Sequence, residues 1–174
     1  MKPFADLLDR LLYTPQRNVK VALILDYFRA VPDPDRGWGL AALTGALSFA
    51  HAKPNLIREL VAARTDSVLF GWSYDFVGDL AETAALIWPE PAVGDRAASW
   101  PELAEVVATL DAARKSELSG LVAGWLDALD ATGRWALLKL VTGSMRVGAS
   151  ARLAKLALAE YGGKEPEEIE EVWH

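Results

Sequence analysis

The residues best placed to do chemistry in this sequence are small residues and cations, and the chemistry they suit is anion binding. In Thr142-Gly143-Ser144-Met145-Arg146-Val147-Gly148-Ala149-Ser150, five small residues (Gly143, Ser144, Gly148, Ala149 and Ser150) surround Arg146, and Arg152 and Lys155 follow. Small side chains let another molecule come close to the main chain. A helix starting after Ser150 would present free N–H groups and the positive end of its dipole, a ready seat for phosphate. Arg152 and Lys155 are three apart and so share one helix face. A second, weaker cluster is Arg17, Asn18 and Lys20, in the first turn of another expected helix. Cations there oppose the helix dipole unless both face an anion. The plainer alternative for both clusters is a solvated helix end, the first being a helix–turn–helix hairpin within a helical core.

Charge distribution favours the anion reading. The chain carries −6 overall, which opposes binding to nucleic acid. The charge is uneven, however. Residues 131–159 hold five basic groups (Arg134, Lys139, Arg146, Arg152, Lys155) and no acidic one, whereas residues 75–130 hold three basic against eleven acidic, and residues 160–174 one against six. A basic face on an acidic body is compatible with a nucleic-acid partner, and four to six phosphate contacts are expected.

Other chemistries find no support. With 2 His and no Cys, disulfides and thiolate metal sites are excluded and a zinc site of the usual kind is not expected. There is no G-x-x-x-x-G-K-[ST], no strand followed by G-x-G-x-x-G, and no Gly-x-Ser-x-Gly. His51 reads as a surface or half-buried loop residue. The acidic pairs Asp75/Asp79 and Asp127/Asp130 read as solvated helix faces, and the aromatic residues, at helical spacing, as core. No catalytic residues and no metal ligands are assigned, so a binding domain is expected rather than a self-sufficient enzyme. No signal peptide and no apolar run long enough for a membrane are found. The lack of cysteine fits a reducing cytoplasm.

The elements that must position these residues are helical. Apolar residues recur at helical spacing along most of the 174 residues, 52% of them apolar with 7 Trp, and no segment alternates as a strand does. About ten helices are expected, in an all-α fold of two interleaved or abutting layers. Thr14-Pro15, Asp66, Ser116, Thr132 and Ser150 are read as helix starts, with Gly143 as a helix end. Val68, Leu69, Trp72 and Phe76 are expected to face inward. A Pro- and Gly-bearing linker at residues 89–98 would separate helical halves 1–88 and 99–174, the second opening at Ser99-Trp100-Pro101-Glu102.

The stretch Leu140 to Leu153 resembles the G-x-L-R-I-G-V-S motif in the N-terminal DNA-binding domain of ATP-dependent DNA ligases, with Met145 where that family usually has Leu. The segments Tyr74 to Thr83 (with Gly78-Asp79-Leu80), Leu129 to Trp135, Ile169 to His174, Leu8 to Leu11 and Tyr13 to Lys20 are similar as well, so the resemblance to a bacterial ligase of this class covers essentially the whole chain. It implies an all-helical domain lying along the minor groove of nicked duplex DNA. Its contacts would be with the sugar–phosphate backbone, through Gly143, Ser144, Arg146, Gly148, Ala149 and Ser150. It also implies a following catalytic core, with a nucleotidyltransferase fold and an OB-fold, as partner. ATP and Mg2+ would serve the parent ligase and no cofactor this chain. No lysine here is followed by x-Asp-Gly, so the expectation is a fragment or isolated domain that cannot form the lysyl-adenylate. The implied setting is nick sealing in repair, replication or recombination, in the cytoplasm at the nucleoid. A helical protein-interaction module of a repair complex is the alternative, suggested by the acidic segments.

Overall fold

The computed structural model describes residues 1–90 and 100–173. Among them all regular structure is helical: α1 (Lys2–Leu12), α2 (Arg17–Ala30), α3 (Asp35–Thr44), α4 (Pro54–Arg64), α5 (Ser67–Val77), α6 (Leu80–Ile87), α7 (Leu103–Ala112), α8 (Lys115–Ala128), α9 (Ala131–Thr142), α10 (Ala151–Gly162) and α11 (Pro166–Val172). The all-α architecture is as expected. Most of the expected linker, and Ser99 after it, lie outside the described residues.

The fold is built around α9. Every residue from Gly133 to Val141 is buried. A helix that is buried all round needs neighbours on every side, and α1, α4, α6 and α8 supply them. α10 packs in turn on α2 and α3. Elements from both sequence halves therefore share one core, with Phe4, Phe28, Ile57, Leu110, Leu126 and Leu137 all within it.

Two cations go inside with α9, which the charge pattern alone did not reveal. Arg134 is 1% exposed; its Nε donates to the Leu126 carbonyl at 2.6 Å and a terminal nitrogen donates to Glu90 at 2.9 Å. Lys139 donates to Asp79 Oδ2 at 2.7 Å. The basic run of residues 131–159 is thus partly an internal ion-pair system rather than a solvated face.

Several helix starts differ from expectation, for local reasons. Asp130, not Thr132, caps α9, its carboxylate accepting from Gly133 N at 2.9 Å. The Thr14 hydroxyl donates back to the Arg10 carbonyl at 2.7 Å, so it closes α1 instead of opening α2. Ser116 lies within α8, which starts after Arg114. Asp35 caps α7 from a distance: its two carboxylate oxygens accept from Leu103 N at 3.0 Å and Ala104 N at 2.8 Å.

The acidic pairs are also less solvated than expected. Asp79 caps α6 through Glu82 N while holding Lys139. Asp127 accepts from Arg64 and from Trp88 Nε1, the latter at 2.9 Å.

The largest departure is α5. Asp66 caps it as expected, accepting from Val68 N and Leu69 N. Yet Val68, Leu69, Trp72 and Phe76 point to solvent, Trp72 at 73% and Phe76 at 93% exposure. Half-buried Phe70 and Tyr74, on the other side of the helix, make its inner contacts instead. Apolar content all round this helix hid which face was inside.

Candidate nucleic-acid interface

The connection from α9 to α10 is longer than a tight turn. α9 ends at Gly143, in the left-handed region at φ 68°, where its N–H donates to the Leu140 and Lys139 carbonyls. Residues 143–150 then cross the surface as a strap. Val147 is buried, and Met145 and Ala149 pack against the core, while Arg146, Gly148 and Ser150 are exposed. Apolar and polar residues alternate between the inside and the outside of this bent segment. This alternation anchors the strap by three apolar side chains and turns its polar groups outward.

Two further positions in the strap have positive φ: Gly148 at 66° and Arg146 at 47°. Left-handed backbone is natural for glycine and strained for arginine, by about 1 kcal/mol. At position 146 this conformation accompanies an exposed guanidinium. Among the described residues Arg146 has no ion-pair partner within 4.0 Å, and its charge is felt at Asp79. Burial pushes the Asp79 carboxyl up. Lys139, the Glu82 amide and Arg146 outweigh that and hold it below its usual value.

The structure brings the two clusters singled out in the sequence together, although they lie more than a hundred residues apart. α2 and α10 pack against each other. Lys20, in the first turn of α2, reaches Val147 just ahead of α10, and the Phe28 ring near the end of α2 meets the Tyr161 ring near the end of α10 at 6.1 Å. Arg17 and Asn18 also line a cleft with Leu156, Glu160, Lys164 and Pro166. The two helix N-termini are tied to each other through Lys20 and Val147. Neither has a side-chain cap, the N-cap residues being Gln16 and Ser150, and neither carries an acidic residue in its first turn. Their unpaired amides and dipole ends add to the potential of exposed Arg17, Asn18 and Arg152.

Two of the expected contacts have other work. Lys20 is 7% exposed, and its ammonium donates to the Val147 carbonyl at 2.8 Å, bracing the strap from below. A Cβ at position 148 would collide with that ammonium, so the site needs glycine both for its φ and for this approach. Spacing could have shown this: Lys20, Leu23, Ile24, Tyr27 and Phe28 form one buried stripe of α2. Lys155 donates to Glu170 of α11 at 2.6 Å and lies over the Trp173 ring at 4.8 Å. The acidic helix α11 thus neutralises Lys155, and Glu167, Glu170 and Glu171 line a cleft with Arg152.

Three arginines remain. Arg17, Arg146 and Arg152 are exposed, and among the described residues no ion pair within 4.0 Å is made by any of them. They accompany the strap and two uncapped helix ends. Gly143, Ser144, Gly148, Ala149 and Ser150 contribute accessible or half-buried main chain around Arg146. Guanidinium groups and free main-chain amides of this kind suit anionic oxygens. The site holds no nucleophile–base pair. Among the described residues no group of three or more His, Asp or Glu side chains could hold a metal ion, and no helix is long and apolar enough to cross a membrane. No protein-family model matches the chain, and no curated protein matches it.

Proposed function

We propose that this domain binds duplex DNA through its sugar–phosphate backbone, without reading base sequence. The strap at residues 143–150 and the starts of α2 and α10 form the contact face. The carrying observation is the Lys20–Val147 contact that joins the start of α2 to the strap, beside two uncapped helix N-termini and the exposed Arg17, Arg146 and Arg152, which make no ion pair within 4.0 Å among the described residues. Arginine and main-chain amides on phosphates position a protein along DNA and carry no sequence information directly. That suits a protein that must act at any break in a duplex.

The resemblance to the N-terminal domain of ATP-dependent DNA ligases gives this binding its setting. In that setting the domain holds nicked DNA, in the minor groove, for a catalytic core carried elsewhere in a parent ligase. ATP and Mg2+ belong with that core. The residues present here do not fit lysyl-adenylate chemistry, since no lysine is followed by x-Asp-Gly, and no step is assigned to them. Repair, replication or recombination at the nucleoid is the corresponding location of the work.

With Arg17, Arg146 and Arg152 as the contacts, the expected salt slope is smaller than the sequence suggested. At about 0.9 per phosphate, log affinity should fall against log salt with a slope of about −2.7, or roughly 40-fold between 50 and 200 mM. Fluorescence anisotropy with nicked and with intact duplexes of unrelated sequence tests this. Equal binding across sequences and a loss of about tenfold in Arg146→Ala are expected. An unchanged affinity in Arg146→Ala removes the site assignment.

A further inference from the structure

The exposed face of α5 has no place in a grip on phosphate, and its surroundings specify a different partner. Val68, Leu69, Trp72 and Phe76 follow one another at helical spacing and form a single apolar stripe about 12 Å long on the solvent side of α5. Exposed apolar area of this kind, contiguous and rich in aromatic residues, marks an interaction surface.

Charge decides what covers it. From Thr65 to Glu90 the sequence contains five carboxylates and no lysine or arginine. Asp79 is held by Lys139, and Asp66 is engaged in capping α5. Asp75, beside the stripe on α5, and Glu82, on the adjoining α6, are exposed and make no ion pair within 4.0 Å among the described residues. Arg58 of α4 stacks on Tyr74, nearly opposite the stripe around the helix, and so does not neutralise it. A second copy of this face would set carboxylate against carboxylate, and phosphate or an anionic lipid surface would meet the same repulsion.

We propose that the α5 face docks a basic amphipathic helix of a partner protein, its apolar stripe laid against Val68, Leu69, Trp72 and Phe76 and its lysines or arginines facing Asp75 and the cation-free acidic segment around it. Helix against helix satisfies the length of the stripe and needs no free backbone edge. The stripe shares no residue with the arginine face, so the two can be tested by separate substitutions.

The test uses the whole chain and two designed helical peptides of the same length. Both carry leucine at i, i+3 or i+4, and i+7; one has lysine on the flanks and the other glutamate. Binding is read by anisotropy of labelled peptide, and folding of each variant by circular dichroism. The lysine peptide is expected to bind the wild-type protein at least about tenfold more tightly than the glutamate peptide. Trp72→Ser combined with Phe76→Ser, both solvent-exposed positions, should lose at least about tenfold, and Asp75→Lys about threefold. None of these changes should weaken binding to nicked duplex. The proposal is overturned by failure of the lysine peptide to bind, or by equal binding of the two peptides. It is likewise overturned by a concentration-dependent dimer that Phe76→Ser abolishes, since a second copy would then be the occupant, or by loss of DNA affinity in the Trp72/Phe76 variant.

Discussion

Two surfaces of this molecule each adjoin a left-handed glycine at a helix end, and they have opposite characters. The strap after Gly143 carries an unpaired arginine, small residues and no carboxylate before Glu160. The α5 helix before Gly78 carries an apolar stripe, with carboxylates nearby and no cation from Thr65 to Glu90. Between them lies the Lys139–Asp79 ion pair. Lys139 is in the last turn of α9, and Asp79 follows Gly78 and starts α6. Similar backbone devices thus frame two unlike surfaces that differ in side-chain charge, the first proposed to meet phosphate and the second a basic helix. One internal salt bridge fixes both junctions to the same core.

The strongest way to break this pairing is at that bridge. Lys139→Met leaves Asp79 without its partner inside the protein. Loss of a buried partner costs about 3 kcal/mol or more, measurable by urea unfolding at pH 7. The pH dependence has a definite sign. The Asp79 carboxyl lies below its ordinary value of 3.8 when folded. The stability it contributes is therefore present above 3.8 and is lost as pH falls through its lower folded value. The gap between wild type and Lys139→Met should narrow below about pH 4. A gap that stays constant with pH contradicts the role given to the pair.

Next in size is the brace under the strap. Lys20→Met removes the donor to the Val147 carbonyl and is expected to cost about 1–3 kcal/mol in stability. It should also loosen the strap and weaken DNA binding by about as much as loss of Arg146 does, about tenfold. Peptide binding at α5 should be unaffected. A Lys20 variant that loses DNA affinity with no loss of stability would mean that this ammonium leaves Val147 and meets phosphate itself.

A smaller change sharpens the contrast between the arginine face and the acidic helix beside it. Glu170→Gln frees Lys155 and lowers the repulsion near Arg152. DNA affinity should rise about twofold to threefold at low salt, and the gain should fade as salt screens it. At position 146 the expected effect is on stability. Arg146→Gly relieves the left-handed strain and should be more stable than Arg146→Ala by about 1 kcal/mol, while both bind DNA equally weakly. If glycine and alanine are equally stable, the strain is not there.

Much of the scaffold was legible from the sequence because caps and periodicity act locally. Gly143, Gly78 and Asp66 stop or start helices where they stand, and neighbouring residues suffice to see it. The strap was singled out by its small residues and its lack of acid. What stayed hidden depends on partners distant in sequence. Lys139 meets Asp79, Arg134 meets Glu90, and Lys155 meets Glu170, so three of the five cations in the basic run are neutralised by groups outside it. Lys20 illustrates an available signal that charge outweighed, for its position falls on the buried stripe of α2. The inner face of α5 was not legible because apolar residues occupy nearly every direction around that helix, leaving its periodicity without contrast.

The most direct test is the salt dependence of nicked-duplex binding by the wild-type chain, measured beside Arg146→Ala. A slope of about −2.7 that becomes shallower by about one unit in the variant is expected for three arginine–phosphate contacts. A slope near zero, or one that Arg146→Ala leaves unchanged, contradicts a phosphate grip at the strap.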